Sequence, residues 1–447
     1  MSSGGLEALD RHYKSVQAGW KVEDRSPSYG KLVVPVGNAD EPLYRWFHLK
    51  EAFSSRLLGQ LLKDADIPLG SDLSVADPFA GSGTSLVSAI SLSAEMGGKA
   101  RVFGVERNPF IWELAQAKLQ ARLGGSSLVT PLAEQLENVV RIFEETRGAD
   151  VEVPRQSTLS NKTYFPAQNV ETLIRIRHAI EGAAESEVRS ILRICLASCV
   201  EAAGRLRRDG RALRYEKSRE PRDPWPLFHE RVDMVRQDLA ATKPAECDGL
   251  VALGDARDFG DLAAGRIFDL IVFSPPYPNN IDYTEVYKTE SWILGCYAND
   301  SDMKAQRQAT IRSHPSVRFS RELAYMKAGF ADQVTALVNP ILSHVPQGDR
   351  YYEGRKEVIE GYADDMLRVL AECRRNVSEV GRLVFVVGNS LHGSGESKYV
   401  IAADVIMARL AELCGWRVVE IRVARKLKRR FAESEFLRES VVVLAPA

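Results

Sequence analysis

The sequence predicts an α/β protein whose core is a doubly wound, mostly parallel sheet, and three segments carry that prediction. Residues 73–76 form a predicted apolar strand that runs into a glycine-containing turn and then into a helix. Residues 101–106 form a second predicted strand, and residues 268–273 form a third. The third is almost continuously apolar, as strands buried on both faces of a parallel sheet are. Open sheets of this kind bind ligands at the carboxyl ends of their strands, so the three strand ends are candidate site positions.

The first two strand ends carry features typical of a nucleoside site. The turn Asp77-Pro-Phe-Ala-Gly-Ser-Gly-Thr-Ser85 contains Gly81 and Gly83, which let a bulky ligand lie against the backbone. The second strand ends in Glu106, about twenty residues beyond the glycines, where a nucleotide-binding sheet places an acid that binds ribose hydroxyls. Because the turn has no lysine of the kind that holds a triphosphate, the predicted ligand is a nucleoside without phosphates and not ATP.

The third strand ends at Ser274-Pro-Pro-Tyr277. Two consecutive prolines fix φ and remove two backbone donors, so the Ser274 hydroxyl and the neighbouring carbonyls have no ladder to join. Tyr277 adds an aromatic face at the same edge. Acceptors beside an aromatic ring suit a planar ligand that carries an amino group. For Pro-Pro-Tyr alone, an ordinary strand followed by a proline-rich turn is the alternative interpretation.

Composition restricts how the chain can meet a polyanion. The 447 residues are 45% hydrophobic and 27% charged, with a formal net charge of −1, as in an ordinary globular protein. A nucleic acid would therefore have to meet local basic patches, of which residues 205–222 and 422–430 are the strongest. A plain solvated loop is the alternative for the first patch. The candidate nucleic-acid contacts are Arg205, Arg207, Arg208, Arg211, Arg214, Arg425 and Lys428.

The cysteine pattern gives no sign of a metal site. The six cysteines are scattered, without a CxxC pair or a metal-binding spacing with histidine. Cys195 and Cys199 are spaced for one helix face, but they lie in an apolar run and are predicted to be core. Reduced thiols and the absence of a signal peptide or a long uncharged apolar stretch predict a cytoplasmic protein.

Pattern and composition divide the chain into segments. Residues 1–42 are predicted to form an N-terminal arm and residues 43–125 the first half of the sheet domain. Residues 126–248 are predicted to be a helical insertion. Residues 249–447 are the predicted second half, with a further, irregular insertion at about 296–355.

Four motifs together resemble those of the S-adenosylmethionine-dependent DNA amino-methyltransferases. They are the DPFAGSGT turn, the strand ending in Glu106, Gly254-Asp255 and the SPPY motif, in an order that one sheet can accommodate. The segment RWFHLKEAFS also resembles that family's N-terminal cofactor motif. The resemblance covers the cofactor and catalytic strands, roughly half of the chain, and not the insertions. It implies a class I methyltransferase fold, which is Rossmann-like.

The resemblance also implies roles for individual residues. Asp77, Gly81 and Gly83 would line the methionine end of S-adenosylmethionine, Glu106 would bind the ribose hydroxyls and Asp255 the adenine amino group. Phe47 and Phe53 would pack nearby. The full set of implied cofactor residues is Phe47, Phe53, Asp77, Phe79, Gly81, Gly83, Thr84, Glu106 and Asp255. The implied catalytic residues are Ser274, Pro275, Pro276 and Tyr277.

The substrate implied by the resemblance is double-stranded DNA. Ser-Pro-Pro-Tyr is typical of family members that methylate cytosine N4, whereas Asp or Asn in place of serine is usual for adenine N6. The target base would leave the duplex and stack on Tyr277. The resemblance implies a restriction-modification or phage-defence context, in which a cognate nuclease or defence-system subunits are candidate partners.

Three other functions stay open. They are adenine N6 methylation, methylation of an RNA base, and an inactive nucleic-acid-binding subunit that keeps the fold. Since long insertions separate the motifs, the family's usual placing of the target-recognition region does not carry over. Residues 126–248 are the candidate target-recognition region, and the insertion at 296–355 is a second candidate.

Overall fold

The structure is a computed structural model, and an eight-stranded sheet forms its centre. The residues that it describes are 4–64, 70–154, 158–209, 212–279, 281–319, 322–326, 329–349, 351–395, 397–428 and 433–447. The candidate contact Arg211 lies outside these ranges.

The strands are β1 (Val22–Asp24), β2 (Leu73–Asp77), β3 (Ala100–Glu106), β4 (Leu206–Arg208), β5 (Leu213–Tyr215), β6 (Cys247–Leu253), β7 (Phe268–Phe273), β8 (Val377–Gly388), β9 (Ser390–His392), β10 (Tyr399–Ile401), β11 (Trp416–Lys426) and β12 (Arg438–Pro446). The helices are α1 (Gly4–Val16), α2 (Ser26–Tyr29), α3 (Leu57–Leu61), α4 (Thr84–Glu95), α5 (Pro109–Gly124), α6 (Val129–Glu145), α7 (Ala167–Gly182), α8 (Arg189–Val200), α9 (Pro224–Ala241), α10 (Phe259–Ala263), α11 (Tyr283–Val286), α12 (Lys288–Ile293), α13 (Asp300–Gln308), α14 (Ala331–Leu342), α15 (Tyr352–Arg375) and α16 (Ala403–Leu413).

The strand order in the central sheet is β6-β3-β2-β7-β8-β12-β11-β1. The five neighbouring strands β6, β3, β2, β7 and β8 all run parallel. Strand β12 is antiparallel to both of its neighbours, and β1 is parallel to β11. The chain proceeds outward from β2 in both directions, so the order reverses between β2 and β7. The predicted doubly wound, mostly parallel, Rossmann-like sheet is confirmed, and its switch point is the position where such sheets bind ligands.

The central strands of the sheet form because they are apolar on both faces. Every residue of β2 is buried, and Val75 and Ala76 pair with Leu270 and Ile271 of β7. One apolar cluster joins one face to α1, α10, α14, α15 and α16, and another joins the opposite face to α3, α4 and α5. This double cover fixes the positions of the strand ends that form the site.

Residues 129–241 supply the four long helices α6 to α9, which share a third apolar cluster with α5. Helix α6 shows the physical basis, since Leu132, Val139 and Phe143 form its buried stripe. Among the described residues of this segment, a hairpin departs from the predicted helical structure. Strands β4 and β5 form a two-stranded antiparallel hairpin in which Leu206 pairs with Tyr215 and Arg208 with Leu213.

The segment predicted as an N-terminal arm packs closely against the C-terminal part of the chain. Strand β1 pairs with β11 at the edge of the sheet. The Tyr13 hydroxyl donates to the carbonyl of Val400 at 2.7 Å, and Trp20 Nε1 donates to Glu412 at 2.9 Å. Residues 4–24 are therefore part of the domain's core and edge.

The insertion predicted to be irregular contains regular structure. Helix α13 begins with a capping box formed by Asn299 and Asp302, and α14 follows it. Gln306 of α13 donates to the Arg107 carbonyl at 3.1 Å, which brings the insertion to the end of β3. Across the described ranges no helix has the length and apolar character needed to cross a membrane.

Candidate active site

A cavity of about 380 Å³ lies at the carboxyl ends of β2, β3, β6 and β7. Its walls come from segments that are far apart in the sequence and that the sheet brings together. The predicted site residues that line it are Phe53, Asp77, Phe79, Gly81, Thr84, Glu106, Asp255, Ser274, Pro275, Pro276 and Tyr277. Two predicted cofactor residues, Phe47 and Gly83, lie behind this wall.

The glycine turn shapes one end of the cavity. Gly81 and Gly83 both have positive φ, 51° and 76°, which disfavours a side chain at either position. Gly83 is the N-cap of α4, and a Cβ there would lie 3.3 Å from the Ala115 Cα on α5. Gly83 therefore allows two helices to approach, whereas the Gly81 backbone borders the cavity itself.

Main-chain donors hold Glu106 beside the turn. Its Oε2 accepts from the Gly81 N–H at 3.0 Å, and its Oε1 accepts from the Asn108 N–H at 2.7 Å. Burial raises the pKa of Glu106, and these backbone hydrogen bonds oppose that rise. Each carboxylate oxygen keeps acceptor capacity, which suits a pair of neighbouring hydroxyls such as those of a ribose.

Asp77, at the end of β2, is a buried acid that begins the turn. Its Oδ1 accepts from the Phe79 N–H at 2.9 Å, and its Oδ2 accepts from the Ser85 hydroxyl at 2.5 Å. Burial raises the pKa of Asp77 to about 7, although both hydrogen bonds lower it. A cationic group bound in the cavity would favour the ionised carboxylate.

Asp255 occupies the predicted position but already has several partners. Its Oδ2 accepts from Arg107 Nη1 at 2.7 Å and from Arg257 Nη2 at 2.6 Å. Its Oδ1 accepts from the Arg257 backbone N–H at 2.9 Å and from Arg257 Nε at 3.0 Å. Burial raises the pKa of Asp255, but Arg257 and Arg107 outweigh it and hold that pKa below its usual range. With four acceptor positions filled, Asp255 would have to release an arginine contact to bind an adenine amino group.

The SPPY motif forms the other end of the cavity, where hydrogen bonds link side chains. Ser274 Oγ donates to Tyr277 Oη at 3.3 Å, and Tyr277 Oη donates to Glu439 Oε1 at 2.8 Å. The Tyr277 ring lies against Gly388, where a Cβ would be 2.8 Å from the ring. Burial, with the charge of Glu439, raises the pKa of Tyr277, so its phenol is a neutral donor.

Glu439 is a cavity residue that the sequence reasoning missed. It lies on β12, is 4% exposed, and its second carboxylate oxygen accepts from Arg425 Nε. The available signal was a polar start, Arg438-Glu439-Ser440, to an otherwise apolar strand. A carboxylate buried in a strand is costly unless it is paired, so it marks a specific partner.

The loop after the motif and the second insertion complete the wall. Asp282, Tyr283 and His314 line the cavity, and Arg307 Nε donates to Asp282 Oδ2 at 2.7 Å. Glu51 also lines it and accepts a hydrogen bond from the Tyr287 hydroxyl. The insertion is therefore part of the site.

Phe47 supports this wall from behind. It is 5% exposed, and its ring lies 5.0 Å from that of Phe110 and 5.9 Å from that of Tyr287. The Arg208 guanidinium lies 4.9 Å from the Phe47 ring. Phe47 thus positions the Tyr287 that binds Glu51.

Arg208 differs from the expected nucleic-acid contact. It is 7% exposed and donates to Glu201 and Glu290, the latter fully buried. The cause is the hairpin, since alternation along β4 turns Leu206 and Arg208 inward and Arg207 outward. Arg208 therefore ties the helical insertion to the sheet domain and is not part of an exposed basic surface.

The other described candidates for nucleic-acid contact have mixed exposure. Arg207 and Arg214 are exposed and pair across the hairpin, whereas Arg205 is partly buried. Arg425 has a side chain 43% exposed and lines the cavity while bound to Glu439. Lys428 is exposed just beyond β11. These positions form two surfaces, one on the hairpin and one beside the SPPY end of the cavity.

Metal-binding clusters are not found among these residues. In the part of the chain that the structure describes, no group of three or more histidine, cysteine, aspartate or glutamate side chains is arranged to hold a metal ion. Cys195 and Cys199, predicted as core, are both buried in α8.

Comparison with known proteins finds methyltransferases. No family model matches the chain. The type II methyltransferase M.BsoBI of Geobacillus stearothermophilus is 22% identical over 454 residues, covering 91% of this chain and 85% of that protein. The type II methyltransferase M.AvaI of a Nostoc species is 23% identical, covering 88% of this chain and 83% of that protein. In both comparisons the similarity extends over most of the length of each protein.

Among solved structures, the rRNA methyltransferase aviRa from Streptomyces viridochromogenes is 13% identical, with a TM-score of 0.32 over 88% of this chain and 85% of that chain. The fold assignment rests on the strand order and directions described above.

Proposed function

We propose that this chain is an S-adenosylmethionine-dependent DNA methyltransferase that modifies an exocyclic base amine, with cytosine N4 as the acceptor. The observation that carries the proposal is the single cavity that joins the glycine turn and Glu106 to the Ser274–Tyr277 strand end. The type II methyltransferase relatives support DNA as the substrate and a restriction-modification context. A cognate nuclease is the partner that this context suggests.

The residues at the turn fit S-adenosylmethionine. Glu106 has acceptor capacity for two ribose hydroxyls, and Asp77 offers a carboxyl with a pKa of about 7 to a cationic methionine end. Leu49 and Phe53 give the cavity apolar walls, and Gly81 lets the ligand lie against the backbone. The cofactor supplies an activated methyl group on a sulfonium, and the loss of that positive charge drives transfer.

The SPPY end supplies positioning of the acceptor. An exocyclic base amine is a poor nucleophile because its lone pair is delocalised into the ring. The Ser274 hydroxyl and the Pro275 carbonyl would accept hydrogen bonds from the two amine hydrogens, so that the nitrogen lone pair points at the cofactor methyl group. In-line placement of nitrogen and methyl group then provides much of the acceleration. Tyr277 would stack on the extruded base.

Two exposed surfaces would hold the DNA backbone. One consists of Arg207 and Arg214 on the hairpin, with the partly buried Arg205 beside them. The other consists of Arg425 and Lys428. In a chain with a net charge of −1, such local patches must supply most of the phosphate contacts. The second surface borders the SPPY end of the cavity, close to where an extruded base would enter.

The proposal is tested by identifying the methylated base. The purified protein is incubated with mixed-sequence DNA and S-adenosylmethionine, and the DNA is digested to nucleosides for mass spectrometry. We expect N4-methylcytosine. Detection of N6-methyladenine would change the base and leave the fold and mechanism intact. Detection of 5-methylcytosine would overturn the mechanism, since carbon methylation uses a cysteine nucleophile and the SPPY motif has none.

A further inference from the structure

Three side chains form a continuous hydrogen-bonded chain from the SPPY motif into the sheet. Ser274 Oγ donates to Tyr277 Oη at 3.3 Å, and Tyr277 Oη donates to Glu439 Oε1 at 2.8 Å. Arg425 Nε donates to the other carboxylate oxygen of Glu439. Glu439 is 4% exposed, whereas the Arg425 side chain is 43% exposed. This series of hydrogen bonds therefore leads from the expected position of the amine to a buried carboxylate next to solvent.

The carboxylate fixes the direction of every hydrogen bond in this chain. An ionised carboxylate only accepts, so the Tyr277 proton must point to Glu439. Tyr277 Oη then accepts from Ser274, which uses the single Ser274 proton. The lone pairs that Ser274 keeps are free to accept from a base amine. Without Glu439, the tyrosine could donate to Ser274 instead and leave the serine proton facing the amine hydrogens.

We propose that Glu439 is a positioning residue that makes Ser274 an acceptor and that it takes up the proton released by the methylated amine. This inference rests on the proposed function. The proposed function explains how Ser274 and Pro275 orient the amine but not where the released proton goes. The present inference assigns that proton to Glu439.

The proton transfer balances without a further reactant. As the N–CH₃ bond forms, the C–S bond breaks and its electron pair stays on sulfur, so the positive charge moves to the amine nitrogen. The N–H bond then breaks, and its electron pair returns to nitrogen. The proton moves to Ser274 Oγ, the Ser274 proton moves to Tyr277 Oη, and the Tyr277 proton moves to Glu439 Oε1. Glu439 is then neutral and lies beside Arg425. Water at the exposed side of Arg425 can remove the proton from Glu439.

The other acids of the cavity are engaged differently. Asp77 and Glu106 accept from the turn and its backbone, Asp255 from two arginines, and Asp282 from Arg307. Glu51 accepts from the Tyr287 hydroxyl, which does not belong to the SPPY motif. Glu439 differs because hydrogen bonds connect it to Ser274 through a hydroxyl relay.

The main test is Glu439→Gln, which keeps the shape but loses the charge. We expect the rate of methyl transfer in a single turnover to fall on the order of 100-fold. Cofactor affinity by calorimetry and the KM for DNA should stay within about twofold, since Glu439 acts on the amine through Ser274. Glu439→Asp, which keeps a carboxylate, should recover part of the rate.

Tyr277→Phe provides a second variant that retains the ring for stacking and removes only the relay hydroxyl. The double variant Glu439→Gln/Tyr277→Phe should be no slower than the slower single variant, because both interrupt one pathway. A matched control is Glu420→Gln on β11, a carboxylate that is also buried and paired with arginine but lies away from the cavity. It should leave the single-turnover rate unchanged.

Two outcomes separate this inference from the proposed function. If Glu439→Gln and Tyr277→Phe keep the wild-type single-turnover rate while the wild type methylates DNA, the relay is refuted and the proposed function stands. If the wild-type protein binds S-adenosylmethionine but methylates no DNA, the proposed function fails and the relay fails with it.

Discussion

The two ends of the cavity hold their acids by different means. At the glycine turn, Glu106 accepts from the backbone N–H groups of Gly81 and Asn108, and Asp77 accepts from the nearby Phe79 and Ser85. At the SPPY end, Glu439 accepts from the side chains of Tyr277 and Arg425.

The two arrangements also differ in how far apart in the sequence their interacting residues lie. Apart from the Ser85 hydroxyl, the donors at the turn are main-chain groups next to the ends of the neighbouring strands β2 and β3, so the arrangement forms as those strands pair. The SPPY end needs Tyr277 and Glu439, which are 162 residues apart and meet only when β12 pairs with β8. The turn is therefore a local binding element, whereas the SPPY end depends on the completed sheet.

The largest expected effect would come from Ser274→Ala at the SPPY end. Removing the hydroxyl takes away an acceptor that orients the amine, so single-turnover methylation should fall on the order of 100- to 1,000-fold. Cofactor affinity, measured by calorimetry, should be unchanged because Ser274 acts on the acceptor. An equal loss of cofactor affinity would show that the two ends are not separable.

Asp77→Asn tests the turn through pH. A carboxyl whose pKa is raised from 3.8 to about 7 contributes stability that is full below about pH 4 and is lost as the pH rises through 7. Between pH 4 and 8 the cofactor-free wild type should therefore lose about 4 kcal/mol of unfolding free energy relative to the variant. Urea unfolding at several pH values measures this, and parallel pH curves for the two proteins would contradict it.

Glu106→Ala should have a smaller effect, which is limited to the affinity for the cofactor. Loss of charge-assisted hydrogen bonds to ribose hydroxyls should weaken binding of S-adenosylmethionine or its demethylated product by about 1–3 kcal/mol. Glu106→Gln, which keeps one acceptor oxygen, should lie between the wild type and Ala. Calorimetry with unchanged affinity in both variants would remove Glu106 from the site.

The smallest effect on chemistry is expected outside the cavity, on the hairpin. Replacing Arg207 and Arg214 with Gln should reduce the slope of log affinity for DNA against log salt by about two units, one for each phosphate contact. Single-turnover rates at saturating DNA should stay the same. Arg417→Gln is the matched control, an exposed arginine near the start of β11, at the sheet edge opposite the cavity. An unchanged slope in the double variant would mean that the hairpin does not contact DNA.

Sequence reasoning reached the local part of the site and not the long-range part. The turn, Glu106 and the SPPY strand end were predictable because each is a strand followed by residues with special backbone needs. Glu439 and the Arg107 and Arg257 contacts of Asp255 depend on which strands become neighbours, which a single segment does not encode. The prediction that Arg208 is an exposed contact was wrong for the same reason, because it is the register of the hairpin that turns this side chain inward.

The pairing of β1 with β11 also bears on how the protein is made. Val22 lies opposite Ile421, and Asp24 opposite Val423, so a three-residue parallel ladder joins segments about four hundred residues apart. A chain that emerges from the ribosome in order presents residues 22–24 long before their partner exists. The edge of the sheet can close only after residue 423 has been synthesised, which makes this contact among the latest to form in co-translational folding.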